Sequence, residues 1–497
     1  MNVVEHFCKK ADVIPNQLAL IEGEQKITFK ALKEDVIATA AYYKDAGIRS
    51  GDKIMVAVPM SIDLYRSVLA IFYIGAVAVF VDEWVSAKRL NLLCVKADCK
   101  ALIASPKIKM LAYFFKGTRN IPIKLILKKR GKGKVKMFTP VQTDSALITF
   151  TTGSTGEPKA ADRTHEFLNE QFRVLNQIVQ MKEGGVDMPV LPIVLFLNLG
   201  AGRTSVIVKW KAAKPQSLKT DNLFRQIEDH NIDSITASPS FLRILAKAQL
   251  RRARECNIKE LYTGGAPVFK SDAQLLNKAF PLSKSTIIYG STEAEPISTV
   301  DSEVLSLREM DEDGGLYVGE IHKELNLVIL DFNHELGHKP KAIEFNASLL
   351  SDGEIGEVLV SGQHVLKRYY RSEKAFEENK IIVDGKLWHK TGDSGFVKGS
   401  SLYLTGRVKQ HFTKHGTVYL PFLIKHEMMR IKGVRNGTIV NVGEEIVLCY
   451  EGEVKREDLN EVMQKYNVDS LLKLHKLPMD KRHHSKIDYK ALMSMIK

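Results

Sequence analysis

The sequence predicts an α/β fold: a large N-terminal region of parallel and mixed sheets with flanking helices, followed by a smaller α+β segment. Three observations carry this expectation. Amphipathic helical stretches alternate with short β-branched runs from Met1 to Pro140. The same rhythm returns from Pro189 to Pro296. Around Gly353 to Gly362 it gives way to short strands punctuated by glycine.

Taken in order, Thr28 to Asp45 reads as a helix, Lys53 to Val58 as a strand, Ile62 to Tyr73 as a helix and Ala76 to Val81 as a strand, the signature of βαβ units. The longest uncharged apolar run, Ser67 to Val81, falls short of the roughly 20 residues that a membrane-spanning helix needs. Gly75 interrupts it, so it reads as a buried helix end and a strand. Ala146-Leu147-Ile148 reads as another strand, and the residues after Arg407 suffice for a small last domain.

The 497 residues hold 72 Lys+Arg and 58 Asp+Glu, a net charge of +14. With 44% hydrophobic and 26% charged residues, disorder, collagen and a disulfide miniprotein are excluded. Cys8, Cys94, Cys99, Cys256 and Cys449 stand singly, without the spacing of a zinc site or a disulfide framework, and the N-terminus lacks the apolar core of a signal peptide. A reducing, cytoplasmic location is expected.

The charge is local. Residues 107–136 carry eleven basic side chains and no acid, with Tyr113, Phe114 and Phe115 among them. A solvated surface run is the ordinary reading of such a stretch. Peripheral contact with an anionic membrane is the alternative. Nucleic acid is not expected as a partner, because no nucleic-acid-binding motif accompanies the charge.

Three stretches point to chemistry. Thr149-Phe150-Thr151-Thr152-Gly153-Ser154-Thr155-Gly156-Glu157-Pro158-Lys159 follows an apolar strand. Small hydroxyl residues and glycines let backbone N–H groups converge on an anion, and Lys159 adds a positive charge. The spacing of Gly153 and Gly156, with Pro158 before the lysine, is not that of the NTPase P-loop. Tyr262-Thr263-Gly264-Gly265-Ala266-Pro267 and Tyr289-Gly290-Ser291-Thr292-Glu293 each end an apolar run, where ligands bind in open α/β sheets. Gly264 and Gly265 would let a flat ring lie against backbone, and Glu293 could hold magnesium beside phosphates. Either stretch alone could equally be a strand-to-helix turn.

TTGSTGEPK, YTGGAP, YGSTE, HKTGD at 389–393, YLTGR at 403–407 and SKIDYKAL at 485–492 occur in the order found in acyl-adenylate-forming enzymes, and nearly the whole chain resembles that family. The resemblance implies activation of a small-molecule carboxylic acid by ATP with Mg2+, an N-terminal domain over 1–406 and a mobile domain over 407–497. It assigns the phosphates to Thr151, Thr152, Gly153, Ser154, Thr155, Gly156 and Lys159, and the adenine to Gly264, Gly265, Ala266, Pro267 and Tyr289. Thr292 would lie near the α-phosphate, Glu293 would bind magnesium, Asp393 with Arg407 would hold the ribose, and Lys486 would contact the carboxylate and α-phosphate. Lys409 takes the hinge position.

Some residues depart from the family pattern. Ala160 stands where glycine usually follows the lysine, Ser485 stands before Lys486, and the segment VKQHFTKHGTVYLPFLIKHEM lacks the usual acids of the hinge. Adenylation is expected to survive these changes, whereas transfer to CoA is put in doubt. The run from Pro189 to Gly202 lacks a His common in acyl-CoA synthetases. With YTGGAPVF, YGSTEAEPIS and Tyr419-Leu420-Pro421, it resembles the β-lactone synthetases of bacterial olefin synthesis, which adenylate a β-hydroxy fatty acid. A fatty acyl-CoA synthetase using CoA, and a silent nucleotide-binding homologue, are the alternatives. Leu195, Phe196, Leu197 and Leu199 read as a core strand, with an acyl tunnel as the other possibility.

Overall fold

A computed structural model describes residues 1–80, 87–127, 131, 133–152, 158–179, 183–208, 210, 218–252, 254–310, 314–332, 334, 336–479 and 487–496. The chain divides into two compact units: Met1–Ile297 with Asp301–Glu303 and Gly362–Glu378, and Ser298–Val300 with Val304–Ser361 and Asn379–Lys497.

The first unit holds two runs of mostly parallel strands. In one, the order is Ile123–Ile126, Ala101–Ala104, Lys53–Ala57, Val77–Phe80, Ser145–Thr152 and Pro158–Thr164, and only the last pair is antiparallel. Side-chain alternation explains why this sheet is covered on both faces. Ile54, Val56, Ala78, Ala101 and Ile103 face a core shared with the helices Phe29–Asp45 and Ile62–Tyr73. Met55, Val77, Val79, Leu102 and Ile148 face a second core. Both helices start on a hydroxyl cap: Thr28 accepts from the Ala31 N–H and Ser61 from the Leu64 N–H.

In the other run the order is Lys284–Ser291, Glu260–Gly264, Ser234–Ala237, Val186–Pro189, Thr204–Val206, Leu18–Glu22 and Gln25–Thr28, parallel up to the final antiparallel pair. Adjacent parallel strands thus end at Gly264 and Ser291, on one edge of the sheet.

The apolar run after Pro189 departs from expectation. Residues Pro192–Ala201 form a helix and not a core strand. Pro192 fits the first turn, where its missing N–H is no loss, and Gly202 ends the helix at φ 79°. Leu195 and Leu199 are fully buried core residues, and Phe196 packs against Tyr65 and Phe72. Leu195 and Leu199 therefore do not line a tunnel.

The second unit is antiparallel in its first part, with Asn326–Leu330, Gly356–Ser361, Lys386–Lys398, Ser401–Arg407 and Leu316–Ile321 in spatial order. Beyond Arg407 lie a hairpin of Phe412–Lys414 and Thr417–Tyr419, the helix Pro421–Arg430, and a sheet of Val434–Val442, Glu445–Gly452 and Ser470–Lys473. Two apolar cores drawn wholly from residues after Arg407 serve this part, one around Tyr419, Ile424 and Leu448, the other around Cys449, Leu477 and Leu492. All five cysteines are free and buried. Among the described residues no helix is long and apolar enough to cross a membrane.

Candidate active site

The strands Ser145–Thr152 and Pro158–Thr164 pair until Thr151 faces Lys159 and Thr152 faces Pro158, bracketing positions 153–157. Gly153, Ser154, Thr155 and Gly156 lie outside the described residues, as do the side chains of Thr151 and Thr152. Lys159 is half-buried on the returning strand. Ala160 is fully buried and its methyl joins the same core as Ile148 and Phe150, which gives the departure from glycine a packing reason.

On the adjacent parallel strands, Gly264 faces Ile288, and a Cβ at position 264 would stand 2.4 Å from the Ile288 carbonyl oxygen. Only glycine permits that approach. Gly265 follows at φ +78°, a left-handed turn open to its surroundings. Ala266 and Pro267 then lead to the helix Lys270–Ala279. Tyr289 lies on the strand Lys284–Ser291, and Thr292-Glu293 turn into the strand Ala294–Asp301 instead of a helix. The Ser291 hydroxyl oxygen accepts from the Glu293 and Ala294 N–H groups, 3.2 Å each, and fixes the turn.

Two residues not singled out by sequence tie these parts together. Arg163, four positions beyond Lys159 on the returning strand, donates to the Thr292 carbonyl at 3.2 Å. Tyr369 donates from its hydroxyl to Glu293 Oε1 at 3.1 Å. The segment around Tyr369 is stitched to both sides. Leu366 N–H donates to the Glu293 carbonyl and Tyr370 N–H to the Ala160 carbonyl, while Val365 bridges Ala294 and Tyr369 bridges Ala161. The strand pair that brackets positions 153–157 and the Glu293 turn are thus held in one framework.

Arg163 and Tyr369 are each only 7% exposed. Burial pulls the Arg163 pKa down, while the carboxylates of Glu295 and Glu293 oppose that shift. Burial pushes the Tyr369 phenol well up, and the charge of Glu293 adds to it, so the hydroxyl remains a proton donor. Burial also raises the Glu295 carboxyl, against the pull of Arg163.

In the second unit, Asp393 and Arg407 are direct register partners on antiparallel strands. Arg407 Nε lies 2.9 Å from Asp393 Oδ1, and Arg407 Nη1 donates to the Thr391 carbonyl at 3.3 Å. The Asp393 N–H donates to Thr391 Oγ1 at 3.1 Å. Asp393 is therefore a strand residue in an ion pair. Lys409 sits in the short 3-10 turn Val408–Gln410. The altered segment behind it still forms a hairpin with Phe412 stacked on Tyr419 at 4.7 Å, then a helix begun by Pro421. Lys486 lies outside the described residues; the Met479–Ile487 bridge flanks its segment, and Tyr489 OH bonds Thr438 Oγ1 at 2.9 Å just beyond.

Among the described residues no group of three or more His, Cys, Asp or Glu could hold a metal by itself. Glu293 offers one carboxylate, which suits a magnesium ion that takes its remaining ligands from phosphates and water.

Residues 7–370 match the model of the family described as AMP-binding enzyme. The chain belongs to this AMP-binding enzyme family. It is an adenylate-forming ligase. It is 26% identical over 498 residues to an olefin beta-lactone synthetase of Stenotrophomonas maltophilia, covering 92% of this chain and 88% of that protein. It is 25% identical over 524 residues to a D-alanine–D-alanyl carrier protein ligase of Bacillus cytotoxicus, with both chains covered in full. Its fold is similar to that of the O-succinylbenzoate coenzyme A synthetase of Bacillus subtilis solved with ATP and a magnesium ion, with TM-score 0.79, 19% identity and 97% of this chain and 98% of that one covered.

Proposed function

We propose that this AMP-binding enzyme activates a long-chain or β-hydroxy fatty acid with ATP, releasing pyrophosphate, and that a β-hydroxy acyl-adenylate then closes to a β-lactone with release of AMP. In the first step a carboxylate oxygen bonds to the α-phosphorus and the bond from that phosphorus to the pyrophosphate oxygen breaks. In the second, the β-hydroxyl oxygen attacks the acyl carbon, loses its proton, and AMP leaves.

The observation that carries the adenylation reading is the framework that joins the phosphate-loop strand to Glu293 through Arg163 and Tyr369. Two anions must approach each other, so fixed positive charge and oriented dipoles govern the barrier. Thr151 to Lys159 would hold the phosphates, Gly264 to Pro267 and Tyr289 would border the adenine, and Thr292 would lie beside the α-phosphate. Glu293 would hold magnesium, whose charge would offset the developing negative charge on the phosphates. Asp393, kept in place by Arg407, would accept from the ribose hydroxyls, and Lys486 would contact the carboxylate. The mobile part would be 407–497, supported by the two cores drawn only from residues beyond Arg407.

The acid class rests on the likeness to the olefin beta-lactone synthetase, spread over 92% of the chain. Transfer to CoA is the second reading, favoured by the fold shared with a coenzyme A synthetase. We place the enzyme in the cytoplasm, in peripheral contact with membrane where its substrate dissolves. Mass spectrometry of products from ATP and a β-hydroxy fatty acid, with and without CoA, tests the choice. A lactone formed without CoA supports the proposal; a thioester formed only with CoA replaces it with the second reading.

A further inference from the structure

We propose that residues 110–115, with the basic side chains around them, form a docking surface for an anionic lipid bilayer. Met110, Leu111, Tyr113, Phe114 and Phe115 are 60%, 42%, 52%, 79% and 36% exposed. These three rings are the only exposed aromatic side chains among the described residues, and they are consecutive. The helix Pro106–Leu111 explains how they come to face outward. It turns Ile108 toward the core, with Ala112 buried just beyond, and leaves Met110 and Leu111 on its other side, so it is apolar on both. A short helix of that kind has an unpartnered face in a water-soluble protein. The helix Ala87–Ala97 packs against the neighbouring turn through Asn91, which accepts from the Gly117 N–H at 2.7 Å, and carries two more exposed apolar residues, Leu92 and Val95.

Charge selects the occupant. Lys116 and Arg119 are exposed, Lys124 sits 5.0 Å over the Tyr113 ring, and residues 107–136 contain no acid. A second copy of this chain would bring the same positive charge to the contact and be repelled. Nucleic acid would satisfy the charge but leave Met110 and Leu111 without a partner. Anionic headgroups satisfy the lysines while the rings and aliphatic chains enter the acyl boundary, the two-signal arrangement that stable peripheral binding needs. None of these residues is among those assigned to adenylation, and the proposal does not depend on that reading.

The test is co-sedimentation of the full chain with vesicles of phosphatidylcholine plus phosphatidylglycerol, and with phosphatidylcholine alone, beside the variant F114S/F115S. Pyrophosphate release and thermal unfolding are followed on the same samples, which separates loss of binding from loss of folding or of adenylation. Expected are binding to the anionic vesicles only, weakening by at least about tenfold in the variant, and release at about 1 M salt, where charges are screened within about 3 Å. No binding to anionic vesicles at low salt overturns the proposal. So does equal binding by the variant, or binding of single-stranded RNA with none to vesicles. A dimer dissolved by the same two substitutions, without vesicle binding, overturns it as well.

Discussion

The hydroxyl of Tyr369 donates to Oε1 of Glu293 at 3.1 Å, across 76 positions of sequence. It fixes one oxygen of the carboxylate and so sets the direction in which the other can point. Because burial and the neighbouring charge keep the phenol protonated, the donor persists through the ordinary pH range. Tyr369 is a positioning residue for a group proposed to hold magnesium. Tyr369→Phe should leave the fold intact and slow adenylation by roughly tenfold, the size of one hydrogen bond to a charged group. The magnesium concentration for half-maximal rate should rise with it, measured as pyrophosphate release against magnesium. A slowed rate with unchanged magnesium dependence would reduce Tyr369 to a packing residue.

Asp393 and Arg407 should act as a pair on ATP. Asp393→Asn keeps the size and loses the charge, so the ion pair at 2.9 Å is weakened and the acceptor for a diol is halved. The KM for ATP is expected to rise about tenfold, a cost of about 1.4 kcal/mol, with a smaller change in kcat. Steady-state kinetics with ATP and 2′-deoxy-ATP check this, since the variant should lose most of its preference between the two.

The two neighbouring glycines should respond differently to alanine. At Gly264 the new methyl meets the Ile288 carbonyl at 2.4 Å, so the paired strands must separate, at about 1–3 kcal/mol. At Gly265 nothing stands within 4 Å, and only the φ of +78° is strained, at about 1 kcal/mol. Thermal unfolding should rank Gly264→Ala below Gly265→Ala, and adenine affinity should follow the same order.

His165 predicts an acid limit to stability. Burial lowers its pKa from 6.5 to about 4, with Asp144 pulling the other way and the N-terminal ammonium lowering it further. Its Nδ1 faces the Val3 N–H at 3.3 Å, so the neutral ring is the folded form. The unfolded chain binds the proton more readily. Stability from this group is full above pH 6.5, falls as the pH drops toward 4, and the total loss is about 3 kcal/mol. Chemical denaturation across that range should show the loss, and His165→Gln should flatten it.

Local signals made much of the fold legible. Ile62–Tyr73 was marked as an amphipathic stretch, and Lys53–Ala57 and Val77–Phe80 by short β-branched runs. Pro192–Ala201 misled because a segment apolar on every side has no period to read. Pro192 at its start and Gly202 at its end were the available clues. The motif glycines and Glu293 stood out by composition. Arg163 and Tyr369 did not, since a charged residue in a strand and one tyrosine of a Tyr-Tyr pair gain meaning only from partners more than 70 positions away. The partnership of Asp393 with Arg407 depends on strand register, which no motif states.

Exchange of labelled pyrophosphate into ATP tests the central claim most directly, because it reports reversal of the adenylation step and needs no knowledge of the final acceptor. Exchange should depend on a carboxylic acid and on magnesium, favour β-hydroxy or long-chain acids over acetate, and fall sharply in Glu293→Gln and in Lys486→Ala. Exchange that is absent with every acid while ATP still binds would contradict the account, as would exchange untouched by both substitutions.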